Sequence, residues 1–303
     1  MRPLRGIALK LGSVLVFIVM SAMIKTTAQH VPAGQTVFFR SAFAIPVIVV
    51  WLAWRHELTT GFRAKNPIGH IWRGLMGTLA MGMGFAGLAY LPLPEVTAIG
   101  YAAPLLIVVF AAMFLGEEVR AFRLSAVALG MIGVLIILSP RFSGISDARQ
   151  TLGASFALMG AVFAALAQIF IRKLTVTETT SAIVFWFSCT ATVLSLVTIP
   201  FGWVVPSPQA ALLLIAAGLI GGVAQILLTS AYRFADASII APFEYSSMLL
   251  ALLVGYFAFS EVPTMMMLSG AGLVILAGGL IIWRERALGI ERAKARKAAA
   301  PSA

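Results

Sequence analysis

Long runs of apolar residues, separated by short clusters that carry most of the lysines and arginines, set the pattern of this chain. A run of about 18 or more apolar residues can cross the roughly 30 Å hydrocarbon core as a helix. In lipid every backbone N–H and C=O must find its partner inside the protein, and a helix does this within the segment. On that rule spans are predicted over 7–25, 37–54, 71–90, 96–115, 124–138, 152–171, 181–200, 210–231, 237–259 and 265–283. The fifth is the shortest and the weakest. Basic residues ahead of the first run resemble a signal peptide, but nine more spans follow, which favours an uncleaved first helix. The expectation is an all-α membrane protein of ten transmembrane helices.

Composition agrees with lipid as the solvent. Hydrophobic residues make up 60% of the chain, with 27 glycines besides, and only 11% is charged. A soluble domain holds about 45–50% apolar residues with glycine included, and about 25% charged. Ten spans of about 20 residues use some two thirds of the chain, which leaves loops and a tail but no soluble domain. The net charge of +11 would suggest nucleic acid in a soluble protein; here it reads as anchoring on the cytoplasmic side, so no nucleic-acid partner is expected. With the N-terminus inside, 18 Lys and Arg fall on the cytoplasmic side and 3 outside (Lys25, Arg141, Arg149), while Arg40 lies within the second span. Both ends are therefore expected in the cytoplasm of a bacterial cell, with the chain in its inner membrane. The single cysteine, Cys189, excludes an intrachain disulfide.

The two halves resemble each other. Ala89-Tyr90 leads through a helix to Glu118-Val119 and then to Gly130 and Gly133. Ala231-Tyr232 leads likewise to Glu261-Val262, Gly270 and Gly272, at offsets of 142 for the tyrosines and 143 for the Glu-Val pairs. Five helices per half is an odd number, so the second copy must enter the membrane the opposite way. The expected organisation is a first five-helix repeat over 1–140, an inverted second repeat over 141–286, and a basic cytoplasmic tail over 287–303. Inverted repeats recur in secondary transporters, with the substrate site near the midplane between the halves.

The tandem five-helix pattern, the Gly-Glu-Glu-Val segment at 116–119, the stretch Ala-Ser-Ile-Ile-Ala-Pro-Phe-Glu-Tyr at 237–245 and Ser260-Glu261-Val262-Pro263 carry a family resemblance. Together they resemble the drug/metabolite transporter superfamily in its EamA-type ten-helix branch, over nearly the whole chain up to about Trp283. The resemblance implies a basket-like bundle with a central cavity and alternating access, and small-molecule substrates. Amino acids, nucleotide-related metabolites, vitamins and cationic drugs are the range it suggests. The general look is similar to a bacterial riboflavin-importer subgroup.

Polar residues inside hydrocarbon are costly and usually face a cavity or a partner. Arg40, near the start of the second span, either snorkels to the outer interface or holds a carboxylate, phosphate or carbonyl-rich ring with its forked donors. Glu244 follows Pro242, which frees the carbonyls of Ser238 and Ile239 from the helix ladder. It is either a cation or proton site or part of a packing device. Gln168 and Gln225 are placed to bond a polar solute or to pack between helices. Tyr101, Tyr245 and Trp186 are candidates to stack on a flat ligand, or they fill the core. These seven are the candidate substrate-binding residues. His30, His56 and His70 fall in or beside predicted loops, so no histidine relay, metal site or resident cofactor is expected inside the membrane.

An intramembrane enzyme would need a nucleophile with its base or a metal triad, and the residues for either are missing. A channel would want a ring of polar side chains, and no phosphate-binding glycine loop appears for ATP-driven transport. The expected function is a secondary transporter, working as a monomer or a homodimer among membrane lipids. A planar vitamin such as riboflavin is the first candidate substrate, and export of an amino acid, other metabolite or drug is the alternative. The charge pattern gives a direct expectation for topology. Reporter fusions after Arg63 and after Arg296 should report cytoplasm, and one after Arg149 the periplasm. A periplasmic signal from the Arg296 fusion would contradict both the span count and the inversion.

Overall fold

The computed structural model describes residues 3–115, 121–142, 147–174, 176–234 and 241–298. Every regular element among them is helical. In chain order they are α1 (Pro3–Thr27), α2 (Ala33–Ala42), α3 (Ala44–Trp54), α4 (Leu58–Phe62), α5 (Pro67–Leu88), α6 (Leu93–Gly100), α7 (Ala102–Leu115) and α8 (Ala121–Phe142). After these come α9 (Ala148–Leu174), α10 (Thr180–Leu196), α11 (Pro208–Phe234), α12 (Ser246–Phe259) and α13 (Met265–Ala298), with 3-10 turns at Ile199–Phe201 and Ala241–Tyr245.

Seven helices of the described residues are long and apolar enough to cross a membrane: Leu4–Thr27, Ala33–Trp54, Leu93–Phe114, Ala121–Pro140, Ala148–Ile171, Pro208–Leu228 and Met265–Arg284. Ser181–Leu196 and Phe243–Phe259 are shorter apolar helices. The remaining expected span corresponds to α5, which at 22 residues is long enough but diluted by His70, Arg73 and glycines. The protein is thus an all-α membrane protein. The boundaries move where local chemistry outweighs hydropathy. α5 starts at Pro67 rather than 71, because the Asn66 side chain accepts the Gly69 N–H at 2.9 Å and proline suits the first helical position. The weak fifth span proves to be the full 22-residue α8. Helix α13 continues to Ala298, so most of the tail expected from 287 extends the last helix.

Two spans are broken, and proline explains each break. Pro46 has no N–H to offer the Ala42 carbonyl, and the helix divides at Phe43 between α2 and α3. Pro104 withholds the bond to Gly100, and the helix divides at Tyr101 between α6 and α7. In the second half, Pro242 lies in the 3-10 turn Ala241–Tyr245 that precedes α12.

Helix α1 lies along α11, α5 along α9 and α8 along α13, while α10 packs on α2 and α5, and α12 on α6. Close crossings need glycine. A Cβ on Gly133 of α8 would stand 2.7 Å from the Gly270 carbonyl oxygen, and one on Gly270 of α13 would stand 2.5 Å from that of Gly133. The backbones touch there, as small-residue crossings in membranes allow. The largest core cluster runs from Ile99 and Leu105 through Val134 and Ile137 to Val274 and Ala277 and includes Tyr101 at the α6–α7 break, while Val37 of α2 and Ala44 of α3 belong to two smaller clusters.

Candidate functional site: broken helices and inward charges

The break at Tyr101 meets the 3-10 turn that opens α12. Tyr101, between α6 and α7, and Tyr245, just before α12, stand edge to face with ring centroids 5.2 Å apart. Carbonyls freed at the second break are taken up locally. Ser246 Oγ donates to the Phe243 carbonyl at 2.6 Å and Ser247 Oγ to that of Glu244 at 2.7 Å. The Tyr101 hydroxyl shares a 2.5 Å hydrogen bond with Ser247 Oγ, which ties the two breaks together. Gly278 of α13 leaves room for the Tyr245 hydroxyl, which a Cβ there would strike.

Glu244 sits at the same break and forms an ion pair with Lys10 of α1. Lys10 was expected among the cytoplasmic anchoring residues, but its side chain is only 2% exposed, whereas that of Glu244 is 47% exposed. The reason is position. Lys10 lies more than a turn inside α1, and a carboxylate offers it a nearer partner than headgroups do. The carbonyls of Ser238 and Ile239, expected to be freed by Pro242, lie outside the described residues, as do Glu117, Glu118, Arg120 and Asp236.

Arg40 does not snorkel. With α2 beginning at Ala33, it lies about 10 Å along the helix axis, buried, its guanidinium 5.8 Å from the centre of the Phe187 ring of α10. Arg73 of α5, expected in a cytoplasmic loop, is likewise buried and stacks on the same ring at 4.0 Å. His70, also expected beside a loop, is buried one turn before Arg73. Its Nε2 lies 3.5 Å from Glu178 Oε1. Glu178 is committed to backbone as well, accepting the N–H groups of Lys65 and Asn66 at 2.6 Å each. Sequence reasoning missed all three: Arg73, though inside the span predicted over 71–90, was counted with the cytoplasmic loop, and His70 and Glu178 fell just outside the spans predicted over 71–90 and 181–200. The signal available was the His70–Arg73 spacing of three, one face of a helix.

The other candidates are dispersed. Trp186 donates its indole N–H to the Phe62 carbonyl at 3.2 Å and packs beside Phe185 and His70, away from the tyrosine pair. Gln168 of α9 and Gln225 of α11 are half-buried, and no hydrogen bond joins either to another described residue. Gln225 lies one turn beyond Gly221, where a Cβ would stand 3.5 Å from Arg40 Nε. The structure therefore gathers Tyr101, Tyr245 and Glu244 at one locus and Arg40, with Arg73, at another.

A third group closes the end of the bundle where α1 finishes and α6 begins. Lys25 Nζ pairs with Glu261 Oε1 at 2.7 Å and donates to the Leu91 carbonyl at 2.7 Å, while Glu261 Oε2 accepts the Leu93 N–H at 2.9 Å. This network ties α1, the start of α6 and the turn after α12. It lines a cavity of about 460 Å³ together with Gln29, Tyr90 and Phe259. Among the described residues no group of three His, Cys, Asp or Glu is placed to hold a metal. The chemistry on offer is recognition of charge and of flat faces, and the charged groups bind α1 to elements far away in sequence.

The unequal exposure of the Lys10–Glu244 pair makes an expectation. Glu244→Gln strands a buried cation and should cost about 3 kcal/mol, within the range for breaking a buried pair. Lys10→Met leaves a half-exposed carboxylate and should cost about 1 kcal/mol or less. The double variant should recover most of the larger loss. Thermal unfolding of the purified variants decides it: equal losses that simply add would show that the pair does not couple the helices.

The chain is similar to known proteins along most of its length. The model of the EamA-like transporter family matches it twice, over residues 4–139 and 151–283. It is 32% identical over 276 residues to the pseudopaline exporter CntI of Pseudomonas aeruginosa, covering 90% of this chain and 94% of that one. It is 30% identical to the riboflavin transporter of Rhizobium johnstonii, covering 84% and 82%, and 26% identical to the S-adenosylmethionine uptake transporter of Rickettsia felis, covering 87% of each. A solved crystal structure superposes with a TM-score of 0.65 at 19% identity, over 92% of this chain and 97% of that one, which is a likeness of fold. The chain belongs to the EamA-like transporter family.

Proposed function

We propose that this protein is a secondary transporter that carries a small metabolite across the bacterial inner membrane. In this reading it has ten spans in two inverted halves, over 1–140 and 141–286, with both termini in the cytoplasm. The observation that carries it is the meeting of the α6–α7 break at Tyr101 with the 3-10 turn at Tyr245, where the buried Lys10 pairs with Glu244. Irregular backbone at membrane depth is tolerated only where protein or a water-filled cavity covers it, and in secondary transporters discontinuous helices build the substrate site. The packing supports the two-half reading: laying α9–α13 over α1–α8 turns the α1–α11 contact into the α9–α5 contact. The double match of the family model at similar lengths supports it as well.

Alternating access then has a physical basis. With the N-terminus inside, the Lys25–Glu261 network lies at the periplasmic end and holds that end together. Lys10–Glu244 lies nearer the cytoplasmic end and joins α1 to the second break. Opening one end requires its pair to part, and the half-exposed Glu244 offers the cheaper separation. No step in this cycle calls for bond chemistry, so the protein is read as a carrier and not as an enzyme.

For substrate, riboflavin is the reading favoured by the Tyr101–Tyr245 pair and by one relative's name. Against a three-sided aromatic cage, Trp186 is engaged elsewhere with Phe62. The test is uptake into sealed proteoliposomes of riboflavin, S-adenosylmethionine and an amino-acid mixture, each radiolabelled. Saturable accumulation of one of them, recovered chemically unchanged, is expected. Conversion of the solute would indicate an enzyme, and flux that never saturates would indicate a channel; either outcome defeats the carrier.

A further inference from the structure

Arg40 and Arg73 come from helices α2 and α5 and converge on one ring, that of Phe187 in α10, at 5.8 and 4.0 Å. Their guanidinium carbons are therefore no further apart than the sum of those distances. Arg40 is 5% exposed and Arg73 is 8% exposed. Arg40 Nε, Arg73 Nε and Arg73 Nη1 are buried without a hydrogen-bond partner. Neither arginine forms an ion pair with a described carboxylate. Glu178 is held by His70 and two backbone amides, and Glu244 by Lys10.

Two like charges so placed are unfavourable twice over. Each loses hydration worth several kcal/mol, and each repels the other in a medium that screens poorly. A shared aromatic face returns only about 0.5–2 kcal/mol per cation. The protein supplies no described anion, so the arrangement is complementary to one that arrives from outside. A guanidinium is the donor best matched to such an anion, because its planar fork bonds a carboxylate or a phosphate through two parallel N–H groups. Space for the fork is kept by glycine. A Cβ on Gly77, one turn beyond Arg73 on α5, would strike Arg73 Nη1 and stand 2.7 Å from the Phe187 ring. On α11, Gly221 lies beside Arg40, and Gln225 stands a turn further along the same helix.

We propose that Arg40 and Arg73, backed by Phe187, form the binding site for a carboxylate or phosphate group of the transported metabolite. This rests on the carrier reading but not on the riboflavin candidate, which bears no anionic group at neutral pH: the arginine pair favours metabolites that carry a carboxylate or a phosphate. The site lies between the α2, α5 and α10 helices, within the span of the bundle and apart from the tyrosine pair, so the rest of the solute would extend from one locus toward the other.

The test uses the full chain in nanodiscs of phosphatidylcholine alone, so that no anionic lipid is present. Thermal unfolding is followed while citrate, glutamate or inorganic phosphate is titrated at constant ionic strength. At least one should raise the midpoint saturably, and Arg40→Gln and Arg73→Gln should each weaken that response by about tenfold or more. Arg149→Gln, an exposed site, should leave it unchanged. Gly77→Ala keeps both charges yet crowds the fork, so it should also weaken the response, which covers the case of a Gln variant that does not fold. An equal response in parent and Gln variants, or none in the parent, overturns the site. If the response appears only when anionic lipid is restored, the occupant is a headgroup and the metabolite site falls. The two readings separate in proteoliposomes. Saturable uptake of a neutral solute that survives both Gln variants keeps the carrier and removes the anion site. Binding without uptake of any solute removes the carrier.

Discussion

A charge inside hydrocarbon has to be answered by something, and the arrangement of this bundle follows from how each one is answered. Insertion of a lysine or arginine at the centre of a lone helix costs about 2.5–3.5 kcal/mol or more. Lys10 is answered by Glu244, 234 positions away in sequence, and Lys25 by Glu261 and the Leu91 carbonyl. These pairs fix where α1 lies against the second half more specifically than apolar packing could, since lipid tails are as apolar as leucine and give helices little reason to choose one another. Arg40 and Arg73 are answered only by an aromatic ring. That contrast, between pairs that hold the bundle and cations set against a ring, is the one on which the proposed anion site rests.

The broken helices follow from a second constraint, the need to satisfy backbone groups away from water. Pro46 and Pro104 each remove one ladder bond, and the chain divides three residues before each proline. Ser246 and Ser247 take up the carbonyls left at the second-half break, and Ser247 passes the connection on to Tyr101. The Tyr101 break and the turn at Tyr245 are tolerable because they pack in the largest apolar cluster, and the Phe43 break lies between Val37 and Ala44 of two smaller ones. Gly133 and Gly270 let α8 and α13 close behind them. Irregular backbone, a tight glycine crossing and inward polar groups thus belong to one design.

Most of the fold was legible in the sequence because hydropathy reports the dominant cost. Runs of apolar residues located the helices to within a few positions, including the short Ser181–Leu196 and Phe243–Phe259. α5 was legible in length and misjudged in start, since a window on hydropathy discards His70 and Arg73 although burial against Phe187 and Glu178 keeps them inside. The candidate residues were legible as types but not as a set. Tyr101 and Tyr245 come together because the α6–α7 break packs against the turn that opens α12, and Ser247 bonds across it, whereas Trp186 turns toward Phe62. Nothing in local spacing tells that Lys10 will meet Glu244 or that Arg40 and Arg73 will share a ring. Those are consequences of which helices pack together, and the chain carries them only through its long-range contacts.

Buried charges that join α1 to the second half, beside the meeting of Tyr101 and Tyr245, fit the proposed carrier, in which the bundle has two arrangements and the solute moves between them. Counterflow measures that property itself. Proteoliposomes are loaded with a high concentration of unlabelled solute, diluted into a trace of the labelled form, and the internal label is followed with time. A carrier with alternating access exchanges inner for outer solute, so the label should rise transiently above its equilibrium level and then decline. A monotonic approach to equilibrium, with no acceleration by the internal solute, would contradict alternating access in this protein.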